Sequence, residues 1–449
     1  MTTAAHSVFA KSRHRAPVGQ TVAPRPTTIA ETGLSEALLA ELILKHLYEG
    51  GVLTLEQLVA RIRLPGTVLE QLITFMRREA RIEIRAGIET AQRFAVTDKG
   101  RAAALEALAR SGYVGPAPVP LELYRAVSAA QTIHRHVTDR ATMATAFEEI
   151  VLAQHLVDQL GAAMNSGRAI FIYGPAGTGK TYITRRLAHI LPGSVLVPYA
   201  VSIGEIVLEV FDPVFHKPVR TMPTDGLALN DGNDTRFVDC QRPVAFAGGE
   251  LRLDMLEVQY DPAHKTYRAP LQFRANNGLL IIDDMGRQLV QPEELLNRWI
   301  VPLEEARDYL HIGNGRHFAV PFDVIVVFST NLNPVELADE AFLRRIGYKI
   351  RFDYLSPAAY AQIWRQVCTK RGVHCDPELV RYTIDELHHR NNMPLLPCHP
   401  RDLLGMAIDY ADYIGTAGEL TSAHIDWAWD NYFVPLNTRD QWADDPQRL

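Results

Sequence analysis

One octapeptide near the middle of the chain limits the possible folds more than any other feature. It follows the apolar, strand-like run Arg168–Tyr173 and precedes a helical pattern over Tyr182–Ile190. It fills the pattern G-x-x-x-x-G-K-[ST] completely and reads Gly174, Pro175, Ala176, Gly177, Thr178, Gly179, Lys180, Thr181. Glycines let a backbone wrap phosphate groups with its N–H donors, the lysine neutralises the β and γ oxygens, and the threonine hydroxyl binds Mg²⁺. The sequence therefore predicts a nucleoside triphosphate site, with ATP and Mg²⁺ as cofactors.

A second strand supplies the acid that such a site needs for its metal. The apolar run Leu279–Ile282 leads directly into Asp283 and Asp284. In parallel sheets, ligands bind at the carboxyl ends of the strands, so this run delivers Asp283 to the edge where the phosphate loop lies. We expect an α/β fold with a parallel sheet, in which Thr181 and Asp283 hold Mg²⁺.

With these two motifs in place, the sequence resembles the AAA+ ATPases, and further family motifs follow in the expected order. Asn331, after the buried run Val324–Phe328, matches the sensor-1 residue that orients the attacking water. Phe342–Ile346 resembles the arginine-finger segment, with Arg345 aligned to the finger and Arg344 as the second choice. His399–Leu403 resembles the sensor-2 segment, which implies that Arg401 lies near the γ-phosphate. The resemblance covers roughly residues 146–434 and leaves the N-terminal third outside.

One position departs from the family. Most AAA+ ATPases have glutamate after the magnesium aspartate, as the base that polarises water, whereas this chain has Asp284. Its side chain is one methylene shorter, and the geometry that positions a water is strict. The resemblance therefore implies ATP binding, with hydrolysis that is slow or uses a shifted water. Glu304 or Glu305 could help instead.

Two insertions resemble those of the branch of AAA+ that contains MoxR. The first is a predicted hairpin of Leu251–Tyr260 and Tyr267–Arg274, which follows Gly248. The second is a predicted hairpin around Gly313, which follows the predicted helix Glu293–Ala306 and precedes sensor 1. Such hairpins either line the pore of a ring or decorate the sheet, and the sequence does not separate the two.

The N-terminal third predicts a separate domain. Residues 1–30 are basic and free of acids, which predicts a disordered tail or a tether for an acidic partner. Residues 31–111 resemble a winged-helix domain, with three helices, strands at Arg81–Arg85 and Arg93–Thr97, and a closing helix from Asp98. Many such domains bind DNA through the third helix. Here its arginines stand only at the far end, so protein docking is the preferred alternative to DNA binding.

The other boundaries follow from composition. The Pro-rich residues 112–120 predict a stiff linker. Residues 121–354 form the predicted AAA+ core, and the all-helical pattern of residues 355–436 matches the family's C-terminal lid. Residues 437–449 are predicted to be a frayed tail.

Bulk composition limits the environment and the partners. The chain has 449 residues, enough for two or three domains, and a net charge of -6, which argues against general polyanion binding. Its four cysteines are scattered, which favours a reducing cytoplasm over a disulfide framework. Zinc binding by Cys368, Cys375, Cys398 and neighbouring histidines is an alternative without a recognised ligand spacing. No apolar run approaches the roughly 20 residues needed to span a bilayer.

Three functions remain open at this stage. The preferred one is a chaperone-like remodeller that forms a homo-oligomeric, hexameric ring and acts on a protein client. The alternatives are a DNA motor that grips duplex through residues 31–111 and a nucleotide-gated regulatory switch that barely hydrolyses ATP. In all three, Arg345 would act on the nucleotide of a neighbouring subunit.

Overall fold

The computed structural model describes residues 23–85, 92–135, 137–219, 232–313, 315–416 and 420–433. The predicted C-terminal tail and residues 1–22 of the predicted N-terminal tail lie outside these ranges. The strands are β1 (Leu53–Thr54), β2 (Ile82–Arg85), β3 (Arg93–Val96), β4 (Val119–Pro120), β5 (Ile170–Tyr173), β6 (Ser194–Pro198), β7 (Ala200–Ile203), β8 (Ile206–Glu209), β9 (Phe237–Gln241), β10 (Val244–Ala247), β11 (Gln259–Asp261), β12 (Thr266–Arg268), β13 (Leu279–Ile282), β14 (Arg307–Ile312), β15 (Arg316–Pro321), β16 (Ile325–Thr330) and β17 (Tyr348–Arg351).

Most of the regular structure outside the sheets in the described ranges is helical. They are α1 (Glu36–Gly50), α2 (Leu55–Ile62), α3 (Gly66–Arg78), α4 (Asp98–Arg110), α5 (Leu121–Ala130), α6 (Arg140–Phe147), α7 (Gln154–Ser166), α8 (Lys180–Leu187), α9 (Leu271–Arg274), α10 (Pro292–Glu305), α11 (Pro334–Leu337), α12 (Glu340–Arg345), α13 (Pro357–Arg371), α14 (Pro377–Tyr382), α15 (His399–Tyr413) and α16 (Ser422–Tyr432). Short 3₁₀ turns occupy Ala30–Thr32, Ile133–Arg135, Ala188–Ile190 and Leu253–Leu256, and a π-helical turn, Thr383–His389, continues α14.

A five-stranded parallel sheet forms the centre of the core, in the order β10-β13-β16-β5-β17. Every residue of β13 and β16 is buried, as expected for strands covered on both faces. Alternate residues face different clusters: Leu280 and Ile282 pack into one core, while Leu279 and Ile281 pack into the other. The predicted α/β fold with a parallel sheet is confirmed.

A second sheet, in the order β11-β12-β8-β7-β4, packs beside this core. The first predicted hairpin is present here but shorter than predicted, because only β11 and β12 pair. The strand predicted over Leu251–Tyr260 is wrong for most of its length, since Leu253–Leu256 is a 3₁₀ turn, and Leu271–Arg274 is helical rather than extended. The second predicted hairpin is formed by β14 and β15.

The region predicted to be a winged helix contains α1–α4 and a small antiparallel sheet in the order β1-β3-β2. A capping box begins α2, because the Thr54 hydroxyl accepts from the Gln57 N–H while the Gln57 side chain accepts from the Thr54 N–H. Leucine and isoleucine side chains of α1, α2 and α3 form one buried cluster. Assignment of this region to a particular family stays a prediction.

The Pro-rich segment 112–120, predicted to be a stiff linker, is packed rather than free. Tyr113, Ala117 and Val119 are buried, and the Ala117 N–H donates to the Ile62 carbonyl at 2.7 Å. Its last two residues form β4, which pairs with β7. Proline excludes a helix here but leaves side chains free to pack and carbonyls free to accept.

The end of the predicted N-terminal tail is also ordered, which corrects the boundary at residue 30. Ala23 is buried, Pro24 forms a bridge with Asn233, and the Arg25 N–H donates to the Gly232 carbonyl at 3.0 Å. The chain is therefore already packed against the core before the predicted first helix.

The C-terminal helices α13–α16 form a compact unit around Tyr360 and Trp364. Two of these helices begin with side-chain N-caps, since the side chains of Ser356 and Asp376 accept from N–H groups in the first turns of α13 and α14. No helix within the described ranges has the length and apolar character needed to cross a membrane. Those ranges also contain no group of three His, Cys, Asp or Glu side chains suited to a metal ion.

Candidate nucleotide site

The predicted phosphate loop joins the end of β5 to the start of α8. Its three glycines have positive φ angles, 139° at Gly174, 78° at Gly177 and 86° at Gly179. A side chain at Gly174 would bring its Cβ to 1.9 Å from the Phe352 carbonyl oxygen. The backbone therefore needs glycine at these turns, and the loop adopts a conformation that L-residues rarely adopt.

Lys180 is the buried cation of this loop. Its ammonium donates to the carbonyl oxygens of Gly174 and Pro175 at 2.8 and 2.7 Å, and the residue is only 6% exposed. Burial lowers the pKa of Lys180, an effect that the negative charges of Asp283 and Asp284 oppose. A buried ammonium whose direct partners are neutral carbonyls favours the arrival of an anion.

Asp283 and Asp284 follow β13 at the carboxyl edge of the central sheet. Asp283 is buried, and its N–H donates to the Ala247 carbonyl at 2.8 Å, which fixes it beside the end of β10. Asp284 has a φ of 50°, in the left-handed region. Aspartate and asparagine tolerate this region better than other side-chain residues, which gives a local reason for aspartate rather than glutamate.

The turn after β13 is attached to the neighbouring strand β16. The Met285 N–H donates to the Ser329 carbonyl at 2.8 Å, and the Thr330 hydroxyl donates to the Met285 carbonyl at 2.7 Å. Asn331 follows β16, and its amide nitrogen lies 3.5 Å from a carboxylate oxygen of Asp284. The structure thus brings together the predicted residues Asp284 and Asn331.

The C-terminal helical unit contacts the phosphate loop from the other side. Measured from a Cβ built on Gly177, Leu396 lies at 3.0 Å and the Cys398 sulfur at 3.4 Å, and Pro397 lies 3.8 Å from the same point on Gly179. Arg401 is three residues further along the chain. Its side chain is 69% exposed, and its Nε donates to Asp402 at 2.8 Å. The predicted sensor-2 segment thus adjoins the loop, while the Arg401 guanidinium is paired with its neighbour.

The two candidate finger arginines lie at the end of α12. Arg345 donates to a carboxylate oxygen of Glu304 at 2.8 and 3.1 Å, and also to the Ala341 carbonyl. Arg344 is exposed. Glu305 accepts from the Tyr309 hydroxyl. The glutamates suggested as substitutes for Asp284 are therefore engaged elsewhere, with Arg345 and Tyr309.

Sequence reasoning missed Gln288. Its side chain accepts from the Gly286 N–H at 2.8 Å and donates to the carbonyls of Asp283 at 3.1 Å and Gly248 at 3.3 Å. A polar residue five positions after the metal aspartate was the available signal, but its partners depend on the fold. The contact of Cys398 with the phosphate loop was also missed, because it joins segments more than two hundred residues apart.

The residues present fit a nucleoside triphosphate with Mg²⁺. The positive φ angles open the loop, and Lys180 supplies a buried positive charge. Thr181, in the first turn of α8, and Asp283 would hold the metal, because hydroxyl and carboxylate oxygens are ligands that Mg²⁺ prefers. When bound, Mg·ATP supplies the phosphoryl group and the metal charge. Asp284 and Asn331 present an acceptor and a donor side by side, which suits them to orient a water.

Comparisons with known proteins give little beyond the fold. Residues 356–431, which nearly coincide with the predicted lid, match a family described as a domain of unknown function (DUF8689). No curated protein matches the sequence.

Solved structures give weak similarities. Thermotoga maritima RuvB, described as a Holliday junction branch migration motor, is 14% identical with a TM-score of 0.34, over 67% of this chain and 72% of that chain. Brucella abortus NtrX in complex with ADP is 14% identical with a TM-score of 0.37, over 77% of this chain and 69% of that chain. Because these TM-scores are low, the fold class is assigned from the strand order and the loop geometry of this chain.

Proposed function

We propose that this chain is a Mg²⁺-dependent ATPase of the AAA+ type, of the branch that contains MoxR. The observation that supports the proposal most strongly is the convergence of four predicted residues at one edge of the central sheet. Lys180 begins α8 after β5, Asp283 and Asp284 follow β13, and both strands pair with β16. Asn331 follows β16 and contacts Asp284. These residues come from three segments of the sequence, and chance rarely assembles a cation, two acids and an amide in this way.

The reaction is phosphoryl transfer to water, in which the protein contributes mainly position and charge. Lys180 neutralises the phosphate oxygens, and the loop N–H groups donate to them. The Asp284 carboxylate accepts a hydrogen bond from the attacking water while the Asn331 amide fixes its direction. Both side chains come from turns that are joined through Met285, so their separation is set by the backbone rather than by flexible side chains.

Assembly into a hexameric ring completes the site. Within one subunit, Arg345 is engaged by Glu304, 41 residues earlier in the chain. In the ring, Arg345 leaves Glu304 and stabilises the γ-phosphate held by the neighbouring subunit. A surface ion pair of this kind is worth about 0–1 kcal/mol, so a phosphate can displace it.

A protein client is a better fit than DNA. A helix that reads DNA usually presents its N-terminal residues to the major groove. Here the turn before α3 packs on the core: the Thr235 hydroxyl donates to the Arg63 carbonyl at 2.7 Å, and the Arg63 guanidinium lies 5.9 Å from the Tyr199 ring centre. Residues 31–111 therefore work as a docked protein-binding module of a cytoplasmic remodeller.

ATP turnover with two competing stimulants tests the proposal. The full-length chain is assayed alone, with reduced and carboxymethylated α-lactalbumin as a permanently unfolded protein, and with duplex DNA at several salt concentrations. Stimulation by the unfolded protein supports a remodeller. Stimulation by DNA that decreases as the salt concentration rises would instead indicate a DNA motor. Tight ATP binding with neither turnover nor stimulation would indicate a switch.

A further inference from the structure

The turn that carries Asp284 is held in an unusual backbone conformation. Asp284 has a φ of 50°, and Gly286, two residues later, has a φ of 97°. A side chain at Gly286 would bring its Cβ within 2.8 Å of Leu332 and 2.9 Å of Leu337. Left-handed backbone costs roughly 1–2 kcal/mol for residues with a side chain, so the turn needs fixed hydrogen bonds to persist.

Two sides of this turn are attached to the sheet through main-chain groups. On one side the Asp283 N–H donates to the Ala247 carbonyl, and on the other Met285 exchanges hydrogen bonds with Ser329 and Thr330. The Arg287 N–H also donates to the Asp284 carbonyl at 3.0 Å. These bonds fix residues 283 and 285. They do not hold Gly286 or the open side of the turn.

Gln288 occupies that open side. Its carbonyl oxygen accepts from Gly286, and its amide nitrogen donates both back to Asp283 and across to Gly248, at the end of β10. One half-buried side chain thus closes the turn around Asp284 and joins it to the adjacent strand end. A shorter or apolar side chain would lose all three bonds.

We propose that Gln288 is a positioning residue for hydrolysis, which sets the place of the Asp284 carboxylate relative to Asn331. The inference rests on the proposed ATPase function. Gln288 touches neither nucleotide nor water in this scheme. It acts through the main chain of Asp283 and Gly286, which lie on either side of Asp284 in the turn. Because the Asp284 side chain is short, its reach depends on the backbone more strongly than that of a glutamate would.

The test compares Gln288→Met with wild type in the full-length chain. Methionine keeps the length and much of the volume of glutamine but offers no donor or strong acceptor. We expect turnover to fall by about 10- to 100-fold, because a displacement of about 1 Å costs up to about 100-fold. The KM and the dissociation constant for Mg·ATP should stay close to wild type. Lys180 keeps its contacts with Gly174 and Pro175, and the Asp283 N–H keeps its bond to the Ala247 carbonyl.

The matched control is Gln291→Ala, three residues further on. Gln291 is exposed, and its side chain does not cap α10, so its loss should leave turnover unchanged. The dissociation constant is measured with a fluorescent ATP analogue, and folding is followed by the melting temperature.

The outcomes distinguish the positioning role of Gln288 from the proposed ATPase function. If wild type hydrolyses ATP and Gln288→Met does so at the same rate, the positioning role is wrong while the ATPase function stands. If Gln288→Met loses binding, turnover and melting temperature together, Gln288 is structural and the inference is overturned. If wild type neither binds nor hydrolyses ATP, the proposed function fails and the inference fails with it.

Discussion

Replacing Asp284 with glutamate restores the residue that most AAA+ ATPases have after the magnesium aspartate. Intuition from the family predicts faster hydrolysis. The local backbone predicts the opposite, because Asp284 has a φ of 50° and its carboxylate already lies 3.5 Å from the Asn331 amide.

The size of the effect follows from two quantities. The extra methylene extends the side chain by about one C–C bond, ~1.5 Å. That exceeds the ~1 Å misplacement that costs up to about 100-fold in rate, so turnover of Asp284→Glu should fall by roughly 100-fold. Glutamate also tolerates the left-handed region less well than aspartate, at a cost of about 1 kcal/mol. For a domain of about 150–250 residues this lowers the melting temperature by about 2–4 °C.

The assay measures steady-state phosphate release and melting temperature for wild type, Asp284→Glu and Asp284→Asn. Asparagine tolerates the same backbone and should preserve the melting temperature and ATP binding while losing hydrolysis. Faster turnover by Asp284→Glu at an unchanged melting temperature would refute the reasoning, because it would mean that the turn accommodates the longer side chain without strain.

Other predictions concern the neighbouring subunit and the lid. Arg345→Ala should retain ATP binding but lose hydrolysis, whereas Arg344→Ala should retain both. Normal turnover in the Arg345 variant would exclude a finger that acts between subunits. Burial lowers the pKa of His388 and His399 to about 4. Below the ordinary value of 6.5 the unfolded chain therefore binds more protons than the folded one, so the lid should lose stability as the pH falls from about 6.5 to about 4. Tryptophan fluorescence during thermal unfolding measures this, and His399→Phe should reduce the pH dependence; an unchanged slope would show that other groups cause it.

Local sequence signals predicted the parts of the structure that local physics controls. Glycines, a lysine and an apolar run define the phosphate loop. Thr54, Ser356 and Asp376 are of the residue types that favour N-caps, and each caps its helix. The strand Leu279–Ile282 agrees with its prediction residue for residue. In each case the signal and its partner lie within a few residues.

Errors arose where tertiary packing decided the outcome. Leu251 and Leu256 suggested a strand. Both are buried in the same core cluster, but Leu256 ends a 3₁₀ turn, Leu253–Leu256. The Pro-rich segment looked like a linker because proline breaks helices, yet Ala117 bonds to Ile62 and β4 joins a sheet. Composition indicates which local conformations a segment can adopt. It does not indicate which other segments pack against it.

The same limit applied to the site. The sequence could nominate Arg345, but not its ion pair with Glu304. It also gave no reason to expect the lid residue Cys398 beside Gly177. The His216 side chain is a further example. The Asp212 N–H donates to its Nδ1, and its Nε2 hydrogen-bonds the Arg274 carbonyl, 58 residues further along the chain. Each of these partners is set by the fold.

Equilibrium binding of Mg·ATP to the full-length chain, measured by calorimetry beside Lys180→Ala, is the most direct test of the nucleotide site. Lys180 is the only one of the four converging residues that carries a positive charge, so its removal should abolish the heat of binding that wild type gives at or below millimolar ATP. No binding by wild type at millimolar concentrations, or equal binding by both proteins, would contradict a triphosphate held against residues 174–181.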